Sequence, residues 1–213
     1  MAAMPQNFPA PAGAVATYSY EDIASGLTYV VYYGNTTLDS TATLNYELIG
    51  TPQDPEEPTT SQARSLDNTH TFDTAPFKVA RFYNGNTINV ILPFFTNPAA
   101  GTAAPTITVY VSLFHYDGST ETQIGATVSK SLTGNTISQF EMLNALIEET
   151  DDFNFAVGDL LRLKVRIVTA SSSNANDYAG ICHDSKNATF TGSEGGDCRT
   201  RILSVIVPYR NDV

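Results

Sequence analysis

The sequence predicts an all-β protein: an antiparallel β-sandwich of jelly-roll type, with one short helix and an extended N-terminal arm. Two observations support this class. Several segments alternate apolar and polar residues with period two, and Gly-, Asn- or Asp-containing turns separate them. Strands and helices do not alternate in the βαβ manner, which argues against nucleotide-binding α/β folds. With 213 residues, the chain is long enough to bury a core without disulfides or metals.

The clearest strand patterns lie at 106–116 and 160–168, where every second residue is apolar. In the second of these, the residues predicted to face the core are Leu161, Leu163, Val165 and Ile167. Further strands are predicted at 27–33, 42–49, 77–83, 87–92, 123–132 and 202–207. Gly34-Asn35 is expected to end the first strand and Pro208 the last. Asn84-Gly85 and Asp117-Gly118 are typical of hairpin turns between the strands that flank them.

One helix is predicted at 138–149, SQFEMLNALIEE. Ser138 is its expected N-cap and Glu141 completes a capping box. Its apolar face, at helical spacing, would consist of Phe140, Leu143 and Ile147.

The chain is predicted to consist of an arm at 1–16 and one sandwich domain at 17–213, with long loops at 50–76 and 170–198. Prolines in the arm block a helix and favour extended structure. Because the arm has little to pack against within its own domain, we expect a neighbouring subunit to hold it. The arm residues predicted to contribute to that interface are Met4, Pro5, Phe8, Pro9 and Pro11.

The chain is strongly acidic: 11 Lys and Arg stand against 22 Asp and Glu, a net charge of −11. No basic residue precedes Arg64, and residues 1–63 carry seven acids. A surface of this sign repels phosphate, so neither nucleic acid nor an anionic membrane is an expected partner. The N-terminus lacks the positive and apolar regions of a secretory signal, and synthesis in the cytoplasm is expected.

No known catalytic motif is visible, so the sequence predicts no enzymatic activity, no cofactor and no metal site. Cys182-His183-Asp184 is a poor dyad because adjacent residues of an extended chain point to opposite sides. Cys182 and Cys198 are either two free thiols, the interpretation favoured here, or a disulfide. The acidic run at 148–152 lacks the alternating ligands and glycine of a calcium loop.

Three cations alternate along the strand at 160–168 and therefore share one face: Arg162, Lys164 and Arg166. They form a basic stripe on an acidic protein. Two interpretations remain open. The stripe either docks an acidic neighbour, which includes the acidic N-terminal segment of another subunit, or pairs with carboxylates on adjacent strands.

Two segments carry a resemblance to a known group of proteins. The segment 17–33, TYSYEDIASGLTYVVYY, resembles the opening of virion proteins of tailed bacteriophages. The segment 155–168, FAVGDLLRLKVRIV, resembles the GD-x-LRL-x-V strand entry of phage β-sandwich proteins. The resemblance implies a virion structural protein, and the size fits a capsid decoration or cementing protein that stabilises the phage head.

The same resemblance implies the partners and the location. The major capsid protein or other virion proteins would be the partners, together with further copies of this chain. The protein would be made in the host cytoplasm and reside in the virion. Three alternatives stay open: a neck, tail or fibre-base protein; a carbohydrate- or receptor-binding module; and a hydrolase, which would need converging carboxylates in a cleft.

Overall fold

A computed structural model describes residues 27–38, 44–50, 67–83, 87–98, 102–148, 153–170, 177–183 and 202–210. Within these ranges the chain is all-β, which confirms the predicted fold class. The twelve strands are β1 Leu27–Leu38, β2 Leu44–Ile49, β3 Asp67–Thr74, β4 Arg81–Tyr83, β5 Ile88–Asn97, β6 Ile107–Tyr116, β7 Glu121–Leu132, β8 Gln139–Ile147, β9 Phe153–Phe155, β10 Leu160–Thr169, β11 Tyr178–Ile181 and β12 Ser204–Arg210. The predicted arm at 1–16 lies outside the described residues.

The strands form one sheet that curls into two layers. The first layer runs β7-β6-β10-β3-β2, and the second contains β8, β5, β12 and the first half of β1. Strand β1 joins the layers, because Leu27–Tyr33 pairs with β12 and Tyr33–Leu38 pairs with β2. On the far side β7 meets β8, where Lys130 Nζ donates to the Glu141 carboxylate at 2.7 Å and to the Met142 carbonyl at 3.0 Å. The sheet therefore closes around a single interior.

Alternating side chains from both layers fill that interior. The four residues predicted to face inward from β10 are fully buried, and β6 contributes an equivalent apolar row. The opposite layer supplies the inward residues of β5, β8 and β12, and all of these belong to one contiguous cluster. The hairpin of β6 and β7 also forms as predicted, with Gly118 at a φ of 92° in its turn.

The predicted helix at 138–149 is wrong, because residues 139–147 form strand β8, paired with β5 along its whole length. The sequence satisfies both periods: Phe140, Leu143 and Ile147 fit a helix, whereas Leu143, Ala145 and Ile147 fit a strand. Burial follows the strand, since Leu143, Ala145 and Ile147 are buried and Met142 and Leu146 are exposed. Pairing with β5 thus overrides the local capping signal.

Two strands lie inside segments predicted to be loops: β3 within 50–76 and β11 within 170–198. Strand β3, DNTHTFDT, contains little that is apolar, and its only large inward side chains are His70 and Phe72. Its strand conformation comes from seven residue pairs with β10. A sequence pattern based on apolar residues cannot detect a strand whose outward face is entirely polar.

The predicted hairpin of 77–83 with 87–92 is also wrong. Strand β4 pairs with β12 and β9, whereas β5 pairs with β8, β11 and β12. Strand β1 continues through Gly34, where a Cβ atom would lie 2.9 Å from Leu203 Cδ2, so close packing rather than a turn requires this glycine. Pro208 does not end β12 but lies inside it, opposite Tyr29 of β1 and between the residues that pair with β5 and those that pair with β4.

Candidate functional site

The outer surfaces of the two layers differ in chemistry. We call the outer surface of β3, β10, β6 and β7 the charged face. Strand register brings together on it the side chains Asp67, Thr69, Thr71, Asp73, Tyr110, Ser112, Phe114, Tyr116, Glu121, Arg162, Lys164 and Arg166. The three predicted stripe residues are therefore side by side, as the alternation requires.

Each cation of the stripe is paired with a carboxylate of the same face. Arg162 donates to both Asp73 oxygens, at 2.7 and 2.6 Å, and also to Glu121. Lys164 donates to the other Glu121 oxygen, and its hydrogen bond is the first cause of the lowered pKa of that carboxyl. Arg166 binds Asp67 through two hydrogen bonds of 2.7 and 2.6 Å. Cross-strand pairing, the second of the two interpretations, is what these contacts show.

Aromatic rings of β6 cover the other side of the same cations. The Arg162 guanidinium lies 4.2 Å from the Tyr116 ring centroid, and Lys164 Nζ lies 4.7 Å from that of Phe114. Arg166 and Tyr110 repeat the arrangement at 5.5 Å. Because each cation has both a carboxylate and a ring, the charged face is internally neutralised. Docking of a partner on this stripe stays a prediction.

We call the outer surface of β1, β12, β5 and β8 the uncharged face. Its described side chains include Tyr29, Val31, Tyr33, Asn89, Ile91, Met142, Asn144, Leu146 and Ile206, and Ser204 lies on the same side but is buried. None of these residues carries a charge. The register aligns Val31, Ile206, Asn89 and Leu146 in one row across all four strands.

Several residues of the uncharged face are open to solvent. Leu146 is 57% exposed, Tyr29 is 47% exposed and Met142 is 42% exposed. Single exposed apolar side chains are ordinary, but a contiguous apolar sheet surface marks an interaction site. This face is not predicted from the sequence, because the pattern of its β8 residues also fits a helix.

A cleft of about 1000 Å³ opens between the layers where β2 meets β3. These two strands are parallel and share only the pairs Glu47–Asp73 and Leu48–Thr74. Three aromatic side chains and one guanidinium line the cleft: Tyr32, Tyr46, Phe77 and Arg81. The cleft is not predicted from the sequence, because the polar composition of β3 is typical of a loop.

A buried cluster with two imidazoles adjoins this cleft, and two of its members, Tyr46 and His70, line it. The Tyr46 ring centroid is 4.8 Å from that of His70 and 5.6 Å from that of His183, and Phe72 is 5.5 Å from His183. His70 is 5% exposed, and its Nε2 has no hydrogen-bond partner among the described residues. Burial, with a smaller repulsion from His183, lowers the pKa of His70 to about 4. The imidazole is therefore neutral at physiological pH.

The remaining predicted site residues are placed only in part. Cys182 is 3% exposed and disulfide-bonded, so it is not the free thiol that the sequence analysis favoured. Cys198 lies outside the described residues, and its pairing with Cys182 stays a prediction. The arm residues Met4, Pro5, Phe8, Pro9 and Pro11 also lie outside the described residues. No group of three potential metal ligands occurs within the described ranges.

Comparison with known proteins gives structural similarities alone. No protein-family model matches the chain, and no curated protein matches its sequence. A CocE/NonD family hydrolase from Staphylococcus aureus shares 10% identity over 87% of this chain and 37% of its own, with a TM-score of 0.46. The VP2 subviral particle of infectious bursal disease virus shares 14% identity over 83% and 42%, with a TM-score of 0.32. A carbohydrate-binding module, TmCBM61 in complex with β-1,4-galactotriose, shares 12% over 74% and 84%, with a TM-score of 0.27.

This chain thus spans little more than a third of the length of the hydrolase it matches. An α-amino acid ester hydrolase and an archaeal aminopeptidase are further matches. Because these structural matches are hydrolases, the sequence-based prediction of no enzymatic activity is wrong as an exclusion. The absence of a known motif does not rule out an enzyme. At TM-scores below 0.5, the similarities carry no argument for an activity of this chain. No helix among the described residues could cross a membrane.

Proposed function

We propose that this chain is a structural subunit of a virus particle, and specifically a capsid decoration or cementing protein of a tailed bacteriophage. The observation that carries the proposal is the uncharged face. The outward side chains described on these four strands include none that is charged, in a protein whose net charge is −11. A face of this kind is stable in water when another protein surface covers it.

The two segments that resemble phage virion proteins support the more specific assignment. One of them, 155–168, contains β10, whose inward side chains form the centre of the core and whose outward side chains form the salt bridges of the charged face. A sandwich whose charged face is internally neutralised and whose other outer surface is the uncharged face suits a lattice position, because only the uncharged face is available for docking without charge. Many copies on a repeating surface would then bind by avidity.

The uncharged face can be tested by placing one charge in its central row. Leu146→Glu puts a carboxylate on an exposed position of a strand, so the monomer should still fold. Burial of an unpaired charge in an interface is costly, and we expect particle binding to weaken by about tenfold or more. The matched control is Val157→Glu, because Val157 is 68% exposed in a turn outside this face.

Binding is measured by co-sedimentation of the purified chain with particles that lack it. Equal occupancy by the Leu146→Glu and Val157→Glu chains would contradict the assignment of the interface. The predicted role of the arm is tested in the same assay, since removal of residues 1–16 should leave the sandwich folded and abolish binding. Full occupancy by the truncated chain would remove the arm from the mechanism.

The specific assignment to the capsid is tested by the copy number in purified particles, measured by quantitative mass spectrometry against the major capsid protein. A ratio near one, or a simple fraction set by lattice symmetry, is the expected result for decoration or cementing. About a dozen copies would place the chain in the neck or tail instead. Absence from the particle would refute the virion assignment altogether.

A further inference from the structure

The cleft between β2 and β3 arises from an interruption of the sheet. Strand β3 pairs with β10 through seven residue pairs on one edge, but with β2 through only two on the other. The cleft of about 1000 Å³ opens at this short contact. Its volume is at the upper end of the range for small-molecule sites, which often lie at the mouths of closed sheets.

The lining combines flat rings with short hydrogen-bonding groups. The rings belong to Tyr32, Tyr46, His70 and Phe77, and the short polar side chains to Asn45, Thr69 and Thr71. Two carboxylates also line the cleft, Glu47 and Asp73, and Asp73 is paired with Arg162. Aromatic rings provide apolar surface for the C–H face of a sugar-like ring, and hydroxyl and amide groups provide donors and acceptors for its hydroxyls. Phe77 belongs to the core cluster, and Tyr32 and Tyr46 pack against it, so the rings are held from behind.

Arg81 adds a cation to this lining. Its guanidinium lies 5.6 Å from the centroid of the Tyr209 ring, and it forms no ion pair or hydrogen bond with any described side chain. Each cation of the charged face, by contrast, has a carboxylate partner. A half-buried guanidinium offers five donors in a planar fork that matches a carboxylate. Among the described residues, no carboxylate neutralises this cation of the cleft, and its recorded contact is with the Tyr209 ring.

We propose that this cleft binds a polyhydroxylated ring bearing a carboxylate, a sugar acid of the hexuronic type. Arg81 holds the carboxylate, Tyr46 and Phe77 contact the apolar surface of the ring, and Asn45 and Thr71 bind its hydroxyls. Glu47 of β2 accepts a hydrogen bond from a further hydroxyl of the sugar. This site is separate from the uncharged face, and the inference does not depend on the proposed function.

The experiment titrates the full, disulfide-intact chain with sodium D-glucuronate, followed by NMR. D-Glucose is the neutral counterpart of the ligand and acetate is the carboxylate without the ring. We expect saturable binding of glucuronate, at least tenfold weaker binding of glucose, and at least tenfold weaker binding of acetate. Equal affinity for acetate would reduce the site to a simple anion contact and overturn the proposal, as would the absence of glucuronate binding.

Two variants locate the site. Arg81→Gln should weaken glucuronate binding at least tenfold. Lys78→Gln removes the same charge from an exposed residue of the same segment, outside the cleft, and should leave the affinity within twofold. Because Arg81 packs on Tyr209, Asn45→Ala provides a second test at an exposed position and should weaken glucuronate and glucose alike. Unchanged affinity in Arg81→Gln and Asn45→Ala would overturn the proposal.

Discussion

Acidification should destabilise the fold through His70. This side chain is 5% exposed, its Nε2 has no hydrogen-bond partner in the part of the chain that the structure describes, and its pKa in the folded protein is about 4. In the unfolded chain the pKa of histidine is about 6.5. Between these two values the unfolded state binds a proton that the folded state does not, so the free energy of unfolding falls as the pH is lowered through this window.

The magnitude follows from the two pKa values. At pH 7.5 neither state is protonated at this position. At pH 5.0 the unfolded state is almost fully protonated and the folded state is mostly neutral, which corresponds to a loss of about 2 kcal/mol from His70 alone. Two effects cause the low pKa in the folded state: removal of the imidazole from water, and the smaller repulsion by His183.

The assay is urea unfolding at pH 7.5 and at pH 5.0, with the disulfide intact, for the wild type and for His70→Phe. Phenylalanine keeps an aromatic ring against Tyr46 but does not titrate, so its loss of stability on acidification should be smaller than that of the wild type by about 2 kcal/mol. Phe72→Leu is the matched control, because it weakens the same cluster and retains the histidine. Equal losses in the wild type and His70→Phe would refute the reasoning.

Two further predictions concern the backbone and a buried carboxylate. A Cβ at Gly134 would lie 1.7 Å from the Ala104 carbonyl oxygen, so Gly134→Ala should lower the free energy of unfolding by about 3 kcal/mol or more. Gly118→Ala is strained only by its φ of 92° and should lower it by about 1–2 kcal/mol. Both variants are measured in the same thermal unfolding series. Asp159→Ala removes the acceptor of a 2.6 Å bond from the His115 ring and of a 2.7 Å bond from the Ala156 amide. It should lower the free energy of unfolding by about 2–3 kcal/mol in urea, and a loss below 1 kcal/mol would contradict the importance of these bonds.

The sequence predicts those parts of the fold in which local pattern and tertiary pairing agree. Strands β6 and β10 alternate apolar and polar residues, and the apolar residues of both strands that face the core are buried. Strand β8 is missed because Leu143 and Ile147 satisfy two periods at once and only the pairing with β5 decides between them. Strand β3 is missed because its outward Thr and Asp residues are stabilised by partners on β10, which lie about 90 positions away in sequence.

The candidate sites, like the strands, can be predicted from the sequence only where local spacing determines them. The basic stripe is visible in the sequence because its spacing along one strand determines its face. Its partners Asp67, Asp73 and Glu121 come from two other strands, so the neutralisation could not be inferred from spacing. The uncharged face and the cleft are each assembled from at least three separate segments. They depend on strand order, which no local pattern contains.

The separation of the uncharged face from the cleft leads to a last prediction. The two sites share no residue: β1 contributes Tyr29, Val31 and Tyr33 to the face but Tyr32, on the opposite side of the strand, to the cleft. Coupling between sites requires that one ligand favours a state to which the other also responds. With no shared side chain, Leu146→Glu should leave glucuronate affinity within twofold, measured by NMR titration. A tenfold change would instead mean that β1 transmits docking on one side of the strand to the cleft on the other.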